Sequence, residues 1–223
     1  MGVVAVNRIL LYASDDKLKA INGPLGWLKR LDVRLTVGPP GASVTAGLHA
    51  RDLNALQVTV DRADQTIRRG LMARSPADSL TGRPPQLFTF EGPAGRLVDS
   101  GVLWFAGVGD GVGFLLVGSI TNAIGTVSEH SGMLSPSADP VGTMQRFFES
   151  RTEPDRDSYV ATHVWETVLS TTRQSGGLSA APWVTGVAVY AGRIAIDPPS
   201  GPAGDAGAVS NLLIGSPLWV AQM

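Results

Sequence analysis

Apolar and polar residues alternate over several short stretches of this chain. Residues 32–37 and 56–61 place apolar side chains on one side and polar or charged side chains on the other. This two-residue period predicts half-buried β-strands. Runs rich in β-branched and aliphatic residues predict further strands at 3–12, 43–50, 86–90, 96–106, 112–120, 183–190, 193–197 and 211–221.

The dipeptide Asp110-Gly111 lies between two apolar runs and predicts a β-hairpin, because Asp-Gly favours the tight turn that joins antiparallel strands. The glycines from 107 to 113 fall at every second position, unlike those of phosphate-binding loops. Residues 101–125 form the one stretch of membrane-spanning length, and the hairpin explains it better than a spanning helix. We therefore expect no membrane span. No signal peptide is expected either, since Arg8 interrupts the first apolar run.

A period of three to four residues predicts helices elsewhere. The clearest stripe lies within 158–172 and consists of Val160, Ala161, Val164, Trp165, Val168 and Leu169. Ser14 is placed to cap a helix over 15–21, and Asp139-Pro140 is typical of a helix start. Residues 62–74 predict a short basic helix.

These elements add up to about eight to ten short strands and two or three short helices. The chain also carries 27 Gly and 15 Pro, many of them in turn-rich segments such as 75–86 and 198–208. This pattern predicts a mainly β fold, either a β-sandwich or a barrel, with an α+β fold as the alternative.

The net charge of −1 hides an uneven distribution of charge. Residues 1–83 carry a balance of +5 and residues 84–223 a balance of −6, and the sign changes within the loop 75–86. We interpret the chain as a basic N-terminal β-rich region, 1–83, and an acidic C-terminal β-rich region, 84–223, with the helix near 158–172. A single continuous domain remains an open alternative.

Catalytic and metal-binding motifs are scarce. Without Cys, the chain has no disulfide scaffold, thiolate zinc site or cysteine nucleophile. His163 and Glu166 are spaced to meet on one helix face, but an ordinary surface pair is the more frequent meaning of this spacing. His130 lies between Glu129 and Ser131 in a polar loop, and His49 stands alone. We expect no cofactor and no bound metal.

Arginine is dense between 62 and 83, which suggests contacts with a polyanion or an acidic protein partner. Because aromatic residues are not interleaved with these arginines, nucleic acid is possible but not favoured. Docking between copies of this chain is preferred over nucleic acid, and a plain solvated face remains an equal alternative. The candidate contact residues are Arg62, Arg68, Arg69 and Arg74.

The apolar strands look too extensive for a lone molecule of this size. An exposed apolar hairpin would aggregate, so we expect a partner to cover it. The predicted interface residues are Trp104, Phe105, Asp110, Phe114, Leu115, Leu218 and Trp219.

The favoured function is therefore that of a non-enzymatic structural subunit in a homo-oligomeric assembly. Small, Cys-free, β-rich chains of this kind are typical of virus and bacteriophage particles. The predicted setting is the tail or head–tail region of a virion assembled in the host cytoplasm, with copies of this chain and other virion proteins as partners. This step rests on composition and not on a motif.

Two alternatives belong to other classes of function. A hydrolase would bring His130 or His163 together with a carboxylate in one pocket. A carbohydrate- or receptor-binding β-module would instead expose some of the five tryptophans, which are Trp27, Trp104, Trp165, Trp183 and Trp219.

Overall fold

The fold is a closed β-barrel with helices packed on its outer surface. The computed structural model describes residues 8–22, 45–46, 50–69, 73–74, 86–99, 101–126, 133–134, 139–149, 154–174, 181–196 and 209–223. The strands are β1 (Ile9–Ala13), β2 (Thr45–Ala46), β3 (Ala73–Arg74), β4 (Gln86–Asp99), β5 (Val102–Gly109), β6 (Val112–Ser119), β7 (Gly125–Thr126), β8 (Trp183–Ala195) and β9 (Asn211–Gln222). The helices are α1 (Asp15–Asn22), α2 (Ala50–Arg69), α3 (Pro140–Phe148) and α4 (Pro154–Gln174).

Five of the described strands close the barrel in the order β4-β5-β6-β9-β8 and back to β4. Neighbouring barrel strands are antiparallel except β6 and β9, which run parallel. β1 extends the sheet beside β9, and β3 lies beside β4. The prediction of a mainly β fold is confirmed, in its barrel form.

β4 is a single long strand that changes partner halfway along its length. Residues 86–93 pair with β8, and residues 94–99 pair with β5. The sequence had suggested separate strands at 86–90 and 96–106, and the second of these is wrong. Asp99 pairs with Val102, and Gly101 has a φ of +71°, so the chain turns inside that predicted strand.

The predicted Asp110 hairpin is confirmed. β5 and β6 pair up to Gly109 and Val112, which leaves Asp110-Gly111 as a two-residue loop. Both loop residues have positive φ, +50° and +74°, as a type I′ turn requires.

The aromatic and aliphatic side chains inside the barrel come from all five of its strands. They form one cluster that includes Phe88, Phe90, Val98, Leu103, Phe105, Phe114, Leu116, Val184, Tyr190, Leu213 and Val220. Two further clusters cover the outer surface. On one side α4 packs largely over β4 and β5, and α3 packs against α4 and β8. On the other side α1, α2 and β1 pack over β8 and β9.

The helix α2 replaces the strand predicted at 56–61. The alternation at 56–61 suggested a strand, and the described part of the predicted strand 43–50 is extended only at 45–46. The apolar residues that are partly or fully buried on α2 are instead spaced by three or four positions: Leu53, Leu56, Val60, Ala63 and Ile67. Val58, which belonged to the apolar side of the predicted strand, is 64% exposed. The helical period therefore decides the structure. Of the predicted basic helix 62–74, residues 62–69 form the last part of α2, whereas residues 73–74 form β3.

The remaining predictions differ mainly in extent. The helices at 15–21, after Asp139 and at 158–172 are confirmed, and Asp139 caps α3 by accepting from the Gly142 N–H. Residues 183–195 form one strand with a register shift between Tyr190 and Gly192. Within the described residues, α2 and α4 contain 20 and 21 residues, longer than the short helices expected. The predicted strand at 32–37 lies outside the described residues.

The described elements of 1–83 lie against the barrel formed by 86–222. β1 pairs with β9, and apolar residues of α1 and α2 pack against β8 and β9. Among the described residues, no helix combines the length and the apolar content needed to cross a membrane.

Candidate functional site

A cleft of about 210 Å³ opens beside the turn of the Asp110 hairpin, and we call it the hairpin-end cleft. It lies between α2 and the outer faces of β4, β8 and β9. Its lining combines three carboxylates, one guanidinium, two hydroxyls and an indole. The lining residues are Asp64, Arg68, Thr89, Phe90, Glu91, Asp110, Thr185, Gly186, Val187 and Trp219.

Two arginines surround Asp64 at the α2 side of the cleft. The Arg68 Nε donates to Asp64 Oδ2 at 2.8 Å, and the Arg8 Nη1 lies 3.8 Å from the same oxygen. The Arg8 guanidinium also stacks over Trp219, 5.7 Å from the ring centroid. Trp219 is 1% exposed, and its buried Nε1 has no hydrogen-bond partner among the described residues.

Trp183 does not line the cleft but is hydrogen-bonded to Glu91, which does. Its side chain is 49% exposed, and its Nε1 donates to Glu91 Oε1 at 3.3 Å. Glu91 pairs across the strands with Thr185, so their side chains point to the same outer face as Trp183. The exposed indole is thus held in one orientation by a residue of the cleft.

Met223 extends the apolar surface next to Trp183. Its N–H donates to the Trp183 carbonyl at 3.0 Å, and its side chain is 46% exposed. Trp183 and Met223 are thus two exposed apolar residues on adjacent strand ends, and Trp183 is joined to the cleft through Glu91.

This arrangement can hold a neutral ligand that both donates and accepts hydrogen bonds. Glu91 and Asp110 have no ion-pair partner in the part of the chain that the structure describes, so their oxygens can accept from a ligand. Arg68 and the Thr185 hydroxyl supply donors. A small anion would meet three carboxylates and a small cation would meet the guanidinium, so neither is well matched.

Of the predicted interface residues, Asp110 and Trp219 line the hairpin-end cleft, and the six apolar ones are buried in the core of one chain. Phe105 and Phe114 fill the barrel, Trp104 and Leu115 belong to the cluster beneath α3 and α4, and Leu218 and Trp219 belong to the cluster beneath α1 and α2. Each is at most 2% exposed. These residues are apolar because they fill the barrel or lie between the barrel and its helices, and they are not accessible to a second copy of the chain. Only Asp110, which is exposed, remains on the surface.

The predicted arginine run is split by the fold. Arg62, Arg68 and Arg69 are exposed on α2, and Arg68 lines the hairpin-end cleft. Arg74 belongs to β3, and its side chain lies outside the described residues.

The residues considered for a hydrolase are not assembled into a site within the described residues. His163 stacks on Tyr159 with ring centroids 6.3 Å apart, and Glu166 is exposed on the same helix. His49 and His130 lie outside the described residues. No group of three His, Cys, Asp or Glu side chains in the described residues could hold a metal ion.

A second polar site lies between α1 and β9. The Lys17 Nζ donates to the Ser216 Oγ and, at 3.1 Å, to the Pro217 carbonyl. Burial lowers the pKa of Lys17 to about 7. Ser216 is 2% exposed, so its hydroxyl accepts the hydrogen bond from Lys17 and is not accessible to a large substrate.

Sequence reasoning considered Trp183 only as one of five tryptophans and did not single out Glu91, Thr185 or Lys17. The sequence carries no local signal for these residues, because each acquires its surroundings from a distant strand. Lys17 and Ser216 are 199 positions apart, and Glu91 and Trp183 are 92 apart.

Comparison with known proteins adds no relative: no family model, curated protein or solved structure matches this chain.

Proposed function

We propose that this chain is a carbohydrate-binding protein whose hairpin-end cleft and adjoining Trp183 hold a sugar. The observation that carries the proposal is the half-exposed indole of Trp183, oriented by its hydrogen bond to Glu91 at the cleft.

The chemistry of a sugar ring matches the two parts of this surface. One face of a pyranose presents C–H groups, which pack well on a flat indole, and its edges present hydroxyls. The hydroxyls can donate to Glu91 and Asp110 and accept from Arg68 and Thr185. A volume of about 210 Å³ is below the range of drug-sized pockets and suits a single sugar unit of a longer chain.

Nucleic acid is less well supported than carbohydrate. The strand order, the parallel β6–β9 pair and the helices between β6 and β8 correspond to an oligonucleotide/oligosaccharide-binding barrel. Such barrels bind ligands on the outer face of their second and third strands. Here those strands are β5 and β6, and α4 packs against that face. Fold analogy therefore does not provide the ligand, and the proposal rests on the cleft.

The test is a glycan-array screen of the full chain, followed by titration calorimetry with the best ligand. We expect Trp183→Ala to weaken binding by tenfold or more, since a stacked aromatic anchor contributes much of the affinity of a small site. Tyr159→Ala is the matched control, because Tyr159 is 72% exposed on α4 and does not line the cleft. Equal affinity of the Trp183→Ala variant and the unmodified chain would contradict the proposal, as would the absence of any bound glycan.

A second candidate is the structural subunit of a homo-oligomer, with Trp183 and Met223 as contact residues. It is favoured by the adjacency of these two exposed apolar side chains, since contiguous apolar surface often marks a protein interface. In this candidate the subunit contact is the surface around Trp183 and Met223, and not the Asp110 hairpin, whose apolar side chains are buried. The virion setting remains a prediction from composition.

A further inference from the structure

The three carboxylates of the hairpin-end cleft differ in how far their charge is compensated. The Arg68 Nε donates to Asp64 Oδ2 at 2.8 Å, and the Arg8 Nη1 lies 3.8 Å from the same oxygen. Glu91 and Asp110 have no ion-pair partner in the part of the chain that the structure describes. The cleft therefore carries one more carboxylate than the two arginines can balance, and the uncompensated charge lies with Glu91 and Asp110.

Glu91 and Asp110 are brought together by the close approach of β4 and β5. Gly109, which precedes Asp110, lies so near the Glu91 carbonyl that an added Cβ would collide with it. Gly92, which follows Glu91, lies equally near the Val108 carbonyl. Both carboxylates also line the same cleft. The two residues are therefore neighbours at its hairpin end, whereas Asp64 and its arginines occupy the α2 side.

The wall of the cleft also contains a buried donor that lacks an acceptor. Trp219 lines the cleft and is 1% exposed, and its Nε1 has no hydrogen-bond partner among the described residues. The Glu91 Oε1 accepts a neutral hydrogen bond, at 3.3 Å, from the Trp183 Nε1. A ligand that complements these groups combines a positive charge with oxygen acceptors.

We infer that the sugar held in the hairpin-end cleft is an amino sugar with a free ammonium group, such as glucosamine. This inference rests on the proposed carbohydrate-binding function. The ammonium group donates to Glu91 and Asp110, and the hydroxyls of the ring contact Arg68 and Thr185.

The position of the charge distinguishes an amino sugar from other ligands. An inorganic cation meets the guanidinium of Arg68 as well as the carboxylates, whereas an amino sugar carries its charge at one edge and neutral hydroxyls at the others. An N-acetylated sugar is neutral and leaves Glu91 and Asp110 without a cation. A sugar acid adds a further negative charge to a cleft that already has an excess of carboxylates.

The test compares trimers of glucosamine, N-acetylglucosamine and glucose that share the same linkage. Titration calorimetry with the full chain is carried out at pH 5.5, where a sugar amine is protonated and an ordinary carboxylate is ionised. We expect the glucosamine trimer to bind about tenfold more tightly than either of the others. This preference should decrease as salt is added, because Glu91 and Asp110 are exposed.

Two substitutions remove the charges with little change of shape. In Asp110→Asn the Asn-Gly pair favours the same turn as Asp-Gly, and in Glu91→Gln the amide oxygen can still accept from Trp183. We expect each variant to reduce the preference for the glucosamine trimer by about threefold, and the double variant to abolish it. Glu166→Gln should leave the preference unchanged, because Glu166 is exposed on α4 and does not line the cleft.

The outcomes separate this inference from the proposed function. A glucose or N-acetylglucosamine trimer that binds as tightly as the glucosamine trimer would overturn the inference and leave carbohydrate binding intact. If no trimer binds, the inference is wrong, and the glycan array decides whether carbohydrate binding fails as well. Equally tight binding of trilysine would assign the cleft to basic peptides, and a preference that survives the double substitution would exclude Glu91 and Asp110 as its source.

Discussion

At the scale of single residues, small side chains decide how the aromatic rings fit inside the barrel. A Cβ at Gly118 would lie 2.6 Å from the ring of Tyr12, and a Cβ at Gly215 would lie 2.7 Å from the ring of Phe88. The glycines of the apolar strands therefore make room for rings that fill the interior. The same glycine-rich runs had suggested an exposed surface, because a sequence shows small residues without showing what packs against them.

Lys17 gives the chain a pH-dependent contribution to stability. Its pKa is about 7 in the folded state against 10.5 in an unfolded chain, so the unfolded state binds more protons between these values. Stability therefore rises with pH across this window, and the cost of burying the charge is fully present below pH 7.

We expect the free energy of unfolding of the native chain, relative to that of Lys17→Met, to increase by about 3 to 4 kcal/mol between pH 7 and pH 10. Urea denaturation at several pH values measures this difference. Lys19→Met serves as control and should show no such increase, since the pKa of Lys19 is raised and not lowered. A constant difference between the native chain and the Lys17→Met variant would contradict the burial of the amine.

At the scale of elements, an ion pair joins α3 to the first turn of α4. The Arg146 Nη2 lies 2.7 Å from Asp157 Oδ1, and the Arg146 Nε donates to both carboxylate oxygens at 3.1 and 3.2 Å. Asp157 is completely buried, whereas the Arg146 side chain is 27% exposed. Arg146 also donates to Thr143 at 2.8 Å, which fixes the guanidinium on its own helix.

Removing the arginine should lower the stability, because it removes a cation that donates three hydrogen bonds to a buried carboxylate. We expect Arg146→Met to lower the free energy of unfolding by about 3 kcal/mol, and Arg156→Met, at a neighbouring exposed position, to change it by less than about 0.5 kcal/mol. Chemical denaturation compares the two variants. The double variant Arg146→Met, Asp157→Leu should be more stable than Arg146→Met alone, and similar losses for Arg146→Met and Arg156→Met would refute this account.

Local patterns predicted elements well where one period dominated. The Asp110-Gly111 turn was recognised because its preference for positive φ is encoded in two adjacent residues. α4 was recognised because its buried stripe is long. The first part of α2 was missed because residues 56–61 satisfy both an alternating and a helical pattern. Only contact with β8 and β9 selects the helical pattern.

At the scale of the whole molecule, closure of the barrel depends on partners that no local pattern specifies. β6 pairs with β9 across about a hundred positions, and β4 divides its length between β5 and β8. The hairpin-end cleft is assembled from α2, β4, the hairpin turn, β8 and β9. These elements are far apart in the sequence, so no local pattern predicts that their residues lie together.

The oligomeric state distinguishes the two candidate functions. If the chain is a structural subunit, size-exclusion chromatography with light scattering at micromolar concentration should give a mass above 23.3 kDa, and Trp183→Ser with Met223→Ser should shift it to the monomer. If the hairpin-end cleft and Trp183 bind a carbohydrate, the unmodified chain should elute as a monomer, and addition of the glycan should leave its mass nearly unchanged. An oligomer that is insensitive to both substitutions would exclude the surface around Trp183 and Met223 as the subunit contact.

The position of β9 has a consequence for biosynthesis. It is the last barrel strand in chain order, yet it pairs with β1, β6 and β8. While the ribosome is still translating the preceding segment, the nascent chain exposes two unsatisfied strand edges that only residues 211–222 can join. The barrel can close only after β9 has emerged from the exit tunnel, so the free edges of β6 and β8 remain available until then to chaperones that shield nascent chains.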